Sequence, residues 1–208
     1  LRYPTICRII YCVVTRIVID PGHGRSTGAS FGDVFEDDIV LAIATKAQRF
    51  MRGLAGVEGP WLTRDDDRTL SLDDRGECSK RLNADLVISI HVNAPAASGD
   101  TATHGAFAFY WPGNPRGQLL ARHIYAELPR QLRRSPARIE AATVTGWPRV
   151  RSVLKHHDAT TVLIETGFIT NRKDREFLAS AEGQDLVAWS IVSGVENQLA
   201  FEQLHGAP

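Results

Sequence analysis

The sequence predicts a single α/β domain whose sheet is covered by helices on both faces. Three observations point there. Short apolar runs alternate with longer stretches that repeat their apolar residues at helical spacing. No low-complexity linker, internal repeat or abrupt change of composition divides the chain. Its 208 residues, 43% of them hydrophobic, are enough for one sizeable core without disulfide staples.

The elements follow in order. Residues Ile17–Asp20 read as a buried strand, and Glu36–Met51 as a helix with Ile39, Ile43, Ala47 and Phe50 on one face. A short strand at Pro60–Thr63 runs into the turn-rich RDDDRTLS. A helix over Leu72–Leu82 follows, with Ser71 as its N-cap and Asp74 three residues on. Asp85–Ile90 and Ala106–Trp111 read as strands, Gly117–Leu132 as a helix, and Val150–His156 as a short helix after an ambiguous stretch through Trp147. Thr161–Ile164 is a further buried strand. A last helix carries Ala188, Ile191, Val192, Val195 and Leu199 at helical spacing. The expected organisation is an N-terminal extension (1–15), one domain (16–204) and a short tail (205–208).

Composition narrows the function. Lys+Arg and Asp+Glu balance at 24 each, so the net-basic footprint of a nucleic-acid binder is missing. No apolar run is long enough to span a bilayer. The cysteines, Cys7, Cys12 and Cys78, are odd in number and form no Cys-x-x-Cys pair, which argues against a disulfide framework or a thiolate zinc site. At the N-terminus, IIYCVV behind Arg2 and Arg8 is shorter than a usual signal-peptide core, and no small-residue cleavage site follows.

Three strands end on chemistry: RIVIDPGH, ADLVISIH and TTVLIE terminate at His23, His91 and Glu165. In open α/β sheets the ligand crevice lies beyond the carboxyl ends of the strands. Three such strands, if parallel neighbours, bring these side chains to one edge. Each histidine alone is as readily a turn or core residue. Glu165 is harder to place without a role, because a carboxylate abutting Val-Leu-Ile must be paired, hydrated or metal-linked. A third metal ligand is expected near His23, and the helix start offers Glu36, Asp37 and Asp38; acidic residues are favoured there for dipole reasons alone.

Together these segments resemble the zinc-dependent N-acetylmuramoyl-L-alanine amidases of the amidase-3 family, known as bacterial cell-wall hydrolases and phage endolysins. The resemblance runs from Arg16 to about Leu199. It rests on IVIDPGHG, Glu36-x-Asp38-x-x-LAIA, LTRDDDRTLSLDDR, ISIHVNA, GAFAFYW and VLIETGFITN, in that order. Val40, where a polar residue is common, and Thr160-Thr161, where Pro-Ala often stands, depart from the pattern without touching a proposed ligand.

The resemblance implies a twisted, mixed and mostly parallel sheet of about six strands. It implies one Zn2+ ion held by His23, Glu36 and His91, with Glu165 as the catalytic carboxylate, and peptidoglycan as substrate. No nucleic-acid or membrane partner is expected, and oligomeric state is left open. Asn93, Trp111 and His157 are weak candidates for substrate contacts, and Asp20 for orienting His23. Rival readings are a carboxypeptidase-like zinc peptidase and an inactive wall-binding or regulatory module. A chain without a signal peptide would suit an endolysin released by a phage pore, with an exported bacterial amidase as the alternative.

Overall fold

A computed structural model describes residues 14–95, 99–134, 136–143 and 145–208. The N-terminal segment 1–13, on which the signal-peptide question turns, lies outside the described residues. The strands are β1 (Thr15–Pro21), β2 (Ser30–Phe31), β3 (Val34–Phe35), β4 (Val57–Leu62), β5 (Leu86–Asn93), β6 (Phe107–Tyr110), β7 (Ile139–Ala141) and β8 (Thr160–Phe168). The helices are α1 (Glu36–Met51), α2 (Leu72–Arg81), α3 (Pro115–Glu127), α4 (Pro148–Lys155), α5 (Arg172–Ala179) and α6 (Ala181–His205).

Six strands form one sheet in the order β4-β1-β5-β8-β6-β7, with β2 and β3 as a separate hairpin. All pairings in the main sheet are parallel except β6 with β8. The sheet is therefore mixed and mostly parallel, as expected. Consecutive strand residues point to opposite faces, and the two faces differ. Ile17 and Ile19 of β1, Leu86, Ile88 and Ile90 of β5, and Val162 and Ile164 of β8 pack with residues of α1, α3 and α6 in one apolar core. The alternate positions of the same strands carry Asp20, Ser89, His91 and Glu165. Beside them, a smaller cluster joins Phe107, Phe109 and Leu163 to Val150 and Leu154 of α4.

Local sequence explains the ends that matter. In α2 the Ser71 hydroxyl accepts from the Asp74 N–H while the Asp74 carboxylate reaches back to the Ser71 N–H, the expected reciprocal cap. α1 has no side-chain cap, and its first N–H donates instead to the Ala29 carbonyl at 2.9 Å. That bond ties the helix start to the loop after β1.

Several boundaries differ from the sequence reading. β5 continues to Asn93 and β8 to Phe168, so His91 and Glu165 lie inside strands rather than past their ends. Mutual pairing extends both, since His91 and Glu165 are register partners. α3 stops at Glu127, two residues before Pro129, whose ring cannot continue a helix. The β2–β3 hairpin, β7 and α5 were not anticipated.

Candidate metal centre

His23 sits just beyond β1 with φ +57°, the left-handed region that side-chain-bearing residues rarely occupy. Glu36 opens α1, and His91 projects from β5. Side-chain nitrogens of both histidines approach one carboxylate oxygen: Glu36 Oε1 lies 3.3 Å from His23 Nε2 and 3.0 Å from His91 Nδ1. One ligand atom from each of the three residues falls within 4.8 Å of the others. The rings of His23 and His91 meet edge-on, at 84° and 5.0 Å between centroids.

This donor set fits zinc. Ligand bonds of about 2.0–2.1 Å in tetrahedral geometry put donor atoms roughly 3.4 Å apart. The two separations from Glu36 Oε1 are already close to that. Two imidazoles and a carboxylate are also the ligand types of catalytic zinc sites, which leave one position open.

Glycines let the donors close in. A Cβ on Gly22 would stand 2.7 Å from His91 Nδ1, and one on Gly28 would stand 2.7 Å from both Glu36 Oε2 and the His23 ring. Neither position can carry a side chain without displacing a donor. Glu36 is further pinned by backbone N–H groups, Oε1 accepting from Val92 at 2.9 Å and Oε2 from Ala29 at 2.7 Å. Burial pushes its carboxyl up, but hydrogen bonds with His23 and His91 outweigh this and hold it well below the usual carboxylate range. It is therefore an anion at neutral pH. Of its two competitors, Asp37 accepts from the Ser26 N–H at 2.8 Å, and Asp38 is exposed.

Glu165 lies beside His91 on the neighbouring strand, on the same face of the sheet. Its Oε2 is fully enclosed and has no hydrogen-bond partner among the described residues. Burial, reinforced by the nearby Glu36 charge, pushes its carboxyl well above the ordinary value. The two carboxylates of the site are thus driven in opposite directions, one locked as an anion and one disposed to hold a proton.

An open cleft of about 540 Å³ is lined by His23, Glu36, His91 and Glu165 together with Asn93 and Trp147, and α4 contributes Arg149, Val150 and Val153. Of the weak substrate candidates, only Asn93 lines it. Trp111 packs near the α4 cluster with the Arg151 guanidinium 4.1 Å from its ring centre. His157 is buried, its Nδ1 2.9 Å from the Ser79 hydroxyl. Burial pushes that imidazole down, towards the neutral form. Trp147 both walls the cleft and packs on Phe107 and Phe109, with its indole N–H donating to Glu140 at 2.7 Å.

Asp20 does not orient His23. It is fully buried, accepting from Thr63 at 2.6 Å, Ser89 at 2.8 Å and Arg75 at 2.6 Å. Burial raises its carboxyl, yet Arg75, His157 and the Thr63 hydroxyl together bring it down to about 2.

Comparison with known proteins agrees with this architecture. The family model for N-acetylmuramoyl-L-alanine amidase matches residues 17–197. The chain is 31% identical over 182 residues to the uncharacterized protein YqiI of Bacillus subtilis, covering 87% of this chain and 83% of that one. It is 30% identical over 180 residues to the N-acetylmuramoyl-L-alanine amidase LytC of the same organism, covering 86% of this chain but only 34% of LytC. Among solved structures, an N-acetylmuramoyl-L-alanine amidase from Clostridium difficile 630 superposes with a TM-score of 0.76 at 28% identity, covering 90% of this chain and 98% of that one. The chain belongs to the N-acetylmuramoyl-L-alanine amidase family.

Proposed function

We propose that this protein is a zinc-dependent peptidoglycan hydrolase that cleaves the amide joining the lactyl group of N-acetylmuramic acid to L-alanine. The observation that carries the proposal is the convergence of His23, Glu36 and His91 on one point of an open cleft with Glu165 beside them. Family membership supplies the substrate class.

Zinc bound by those three residues would polarise the scissile carbonyl and lower the pKa of a water molecule towards ~7. The protein's own groups do the rest. Glu36 stays anionic under its two backbone donors, and its carboxylate keeps both imidazoles turned towards the same point. Glu165 takes a proton from the attacking water and delivers it to the departing alanine nitrogen. An amine must be protonated to leave. A carboxyl whose proton affinity is raised by burial, and whose enclosed oxygen has no competing donor, is suited to hold that proton between the two steps. Trp147, Val150 and Val153 shield one side of the cleft from bulk water. The place of action is the bacterial cell wall.

The test is a digestion of purified peptidoglycan by the wild type, by Glu165→Gln, and by the wild type with a strong zinc chelator. New alanine amino termini without new reducing sugars are expected from the untreated wild type alone. Reducing ends would indicate a glycosidase, and activity that survives chelation would end the metal mechanism.

A further inference from the structure

Two of the three arginines in the segment LTRDDDRTLSLDDR, Arg64 and Arg75, are buried and unused by the chemistry above. Both lie almost wholly buried beneath the site, Arg64 at 2% and Arg75 at 4% exposure. A guanidinium in that position destabilises the fold unless its donors are satisfied. Here five of their eight hydrogen bonds converge on the short segment from Asp20 to His23.

Arg75 donates to the His23 carbonyl at 2.7 Å, the Pro21 carbonyl at 2.8 Å and the Asp20 carboxylate at 2.6 Å. Arg64 donates to the Gly22 carbonyl at 2.7 Å and the Pro21 carbonyl at 3.1 Å. Three consecutive carbonyls, those of Pro21, Gly22 and His23, are therefore gripped by guanidinium groups. The same Arg64 Nη2 that holds Gly22 also reaches the Asp37 carbonyl at 3.1 Å. One nitrogen thus links the residue before His23 to the residue after Glu36.

Simple charge pairing does not account for Arg64. It forms no ion pair among the described residues, and its recorded hydrogen bonds all end on backbone carbonyls. The turn it grips needs an external hold, because His23 occupies a left-handed conformation that costs on the order of 1 kcal/mol or more. His91 needs no such support, since its strand is paired on both sides by β1 and β8.

We propose that Arg64 and Arg75 are positioning residues: they clamp the His23 turn against the start of α1 and thereby set the affinity of the site for zinc. The inference rests on the metal reading given under Proposed function. Lysine cannot replace either residue, because a single ammonium lacks the planar fork that spans several acceptors.

The experiment titrates zinc into the metal-free full chain against a chromophoric chelator, with urea unfolding of each metal-free protein alongside. The variants are Arg64→Lys, Arg75→Lys, Thr69→Val and Val195→Ala. Each lysine variant should bind zinc about 10- to 100-fold more weakly. Thr69, whose hydroxyl donates to the Gly24 carbonyl of the same turn at 2.9 Å, is the milder probe. Its valine variant should lose roughly 2- to 5-fold, the effect of one neutral hydrogen bond. Val195→Ala, in the buried face of α6, should lower the urea midpoint and leave zinc affinity unchanged.

Lysine variants that lose stability but bind zinc like the wild type would overturn the proposal. Should they fail to fold, unchanged zinc affinity in Thr69→Val overturns it instead. A wild type that binds no zinc would refute the metal reading itself, a separate result read from a separate arm.

Discussion

The two faces of the central sheet come from the same strands and share almost nothing else. On one face β1, β5 and β8 present Ile17, Ile19, Ile88, Ile90, Val162 and Ile164 to α1, α3 and α6, with no exposure at any of the six. On the other, alternate residues of those strands present Asp20, Ser89, His91 and Glu165 beneath the short helices α2 and α4. The first face is dry and closed by long helices. The second is polar, cross-linked by Asp20 and the two buried arginines, and open at its carboxyl edge. Strand alternation therefore lets one set of residues supply the core while their immediate neighbours supply a reactive site. Changes on the dry face should act on stability alone, whereas changes at the open edge of the polar face should act on zinc and catalysis, and changes in its buried network around Asp20 on stability as well.

The largest separation is expected at Glu165 and Ile88. Glu165→Gln should lower amidase activity by about 10³-fold, the scale of a lost general acid–base. Its thermal midpoint should not fall, because the swap keeps the side chain's shape and removes a carboxyl that burial disfavours in its charged form. Ile88→Ala, on the neighbouring strand and the opposite face, should cost about 2–5 kcal/mol in urea unfolding. Its folded fraction should bind zinc with wild-type affinity. A drop in zinc affinity in the Ile88 variant would break the division between the faces.

Next comes crowding at the site. Gly22→Ala pushes a methyl group into the His91 ring and should weaken zinc binding by about 10-fold or more, checked by the same chelator competition. A smaller effect sharpens the picture of the polar face. Because the Asp20 carboxyl is held down to about 2, its contribution to stability is complete above the unfolded carboxylate value near 4 and is lost as pH falls through 2. Urea unfolding between pH 5 and pH 2 should show a loss of stability about 2 kcal/mol larger in the metal-free wild type than in metal-free Asp20→Asn, in which Glu36 and the other depressed carboxyls still titrate. The smallest change is Ser71→Ala, which removes the cap of α2 and should cost about 1 kcal/mol by the same measurement.

Much of this was legible in the sequence because burial leaves a strong pattern. VISIH and VLIE read as apolar runs ending on polar residues, and the three segments carrying His23, His91 and Glu165 do lie on adjacent parallel strands. The amphipathic spacing of α1 gave its bounds directly. Helix propensity alone did not decide among Glu36, Asp37 and Asp38, since all three suit a helix first turn; the family resemblance singled out Glu36. Only the approach of α1 to the end of β1 turns Glu36 towards the histidines.

Other features depend on contacts between distant segments. β2 and β3 span two residues each, too few to show a period, and the antiparallel direction of β6 leaves no mark on its composition. The roles of Arg64 and Arg75 were hidden because arginine in a turn-rich, acidic segment reads as a solvated charge. Their burial under DPGHG follows from tertiary placement: Arg64 comes just after β4, the parallel neighbour of β1, and Arg75 reaches in from α2. The same packing took Asp20 away from His23, pairing it with Arg75 instead.

The most direct test is anomalous diffraction at the zinc edge from crystals of the zinc-loaded protein. A single strong peak is expected about 2.0–2.1 Å from donor atoms of His23, Glu36 and His91, with the Glu165 carboxylate within hydrogen-bond reach of a solvent molecule beside it. A peak bound elsewhere, or one that engages fewer than those three residues while Glu165 faces away, would contradict the account.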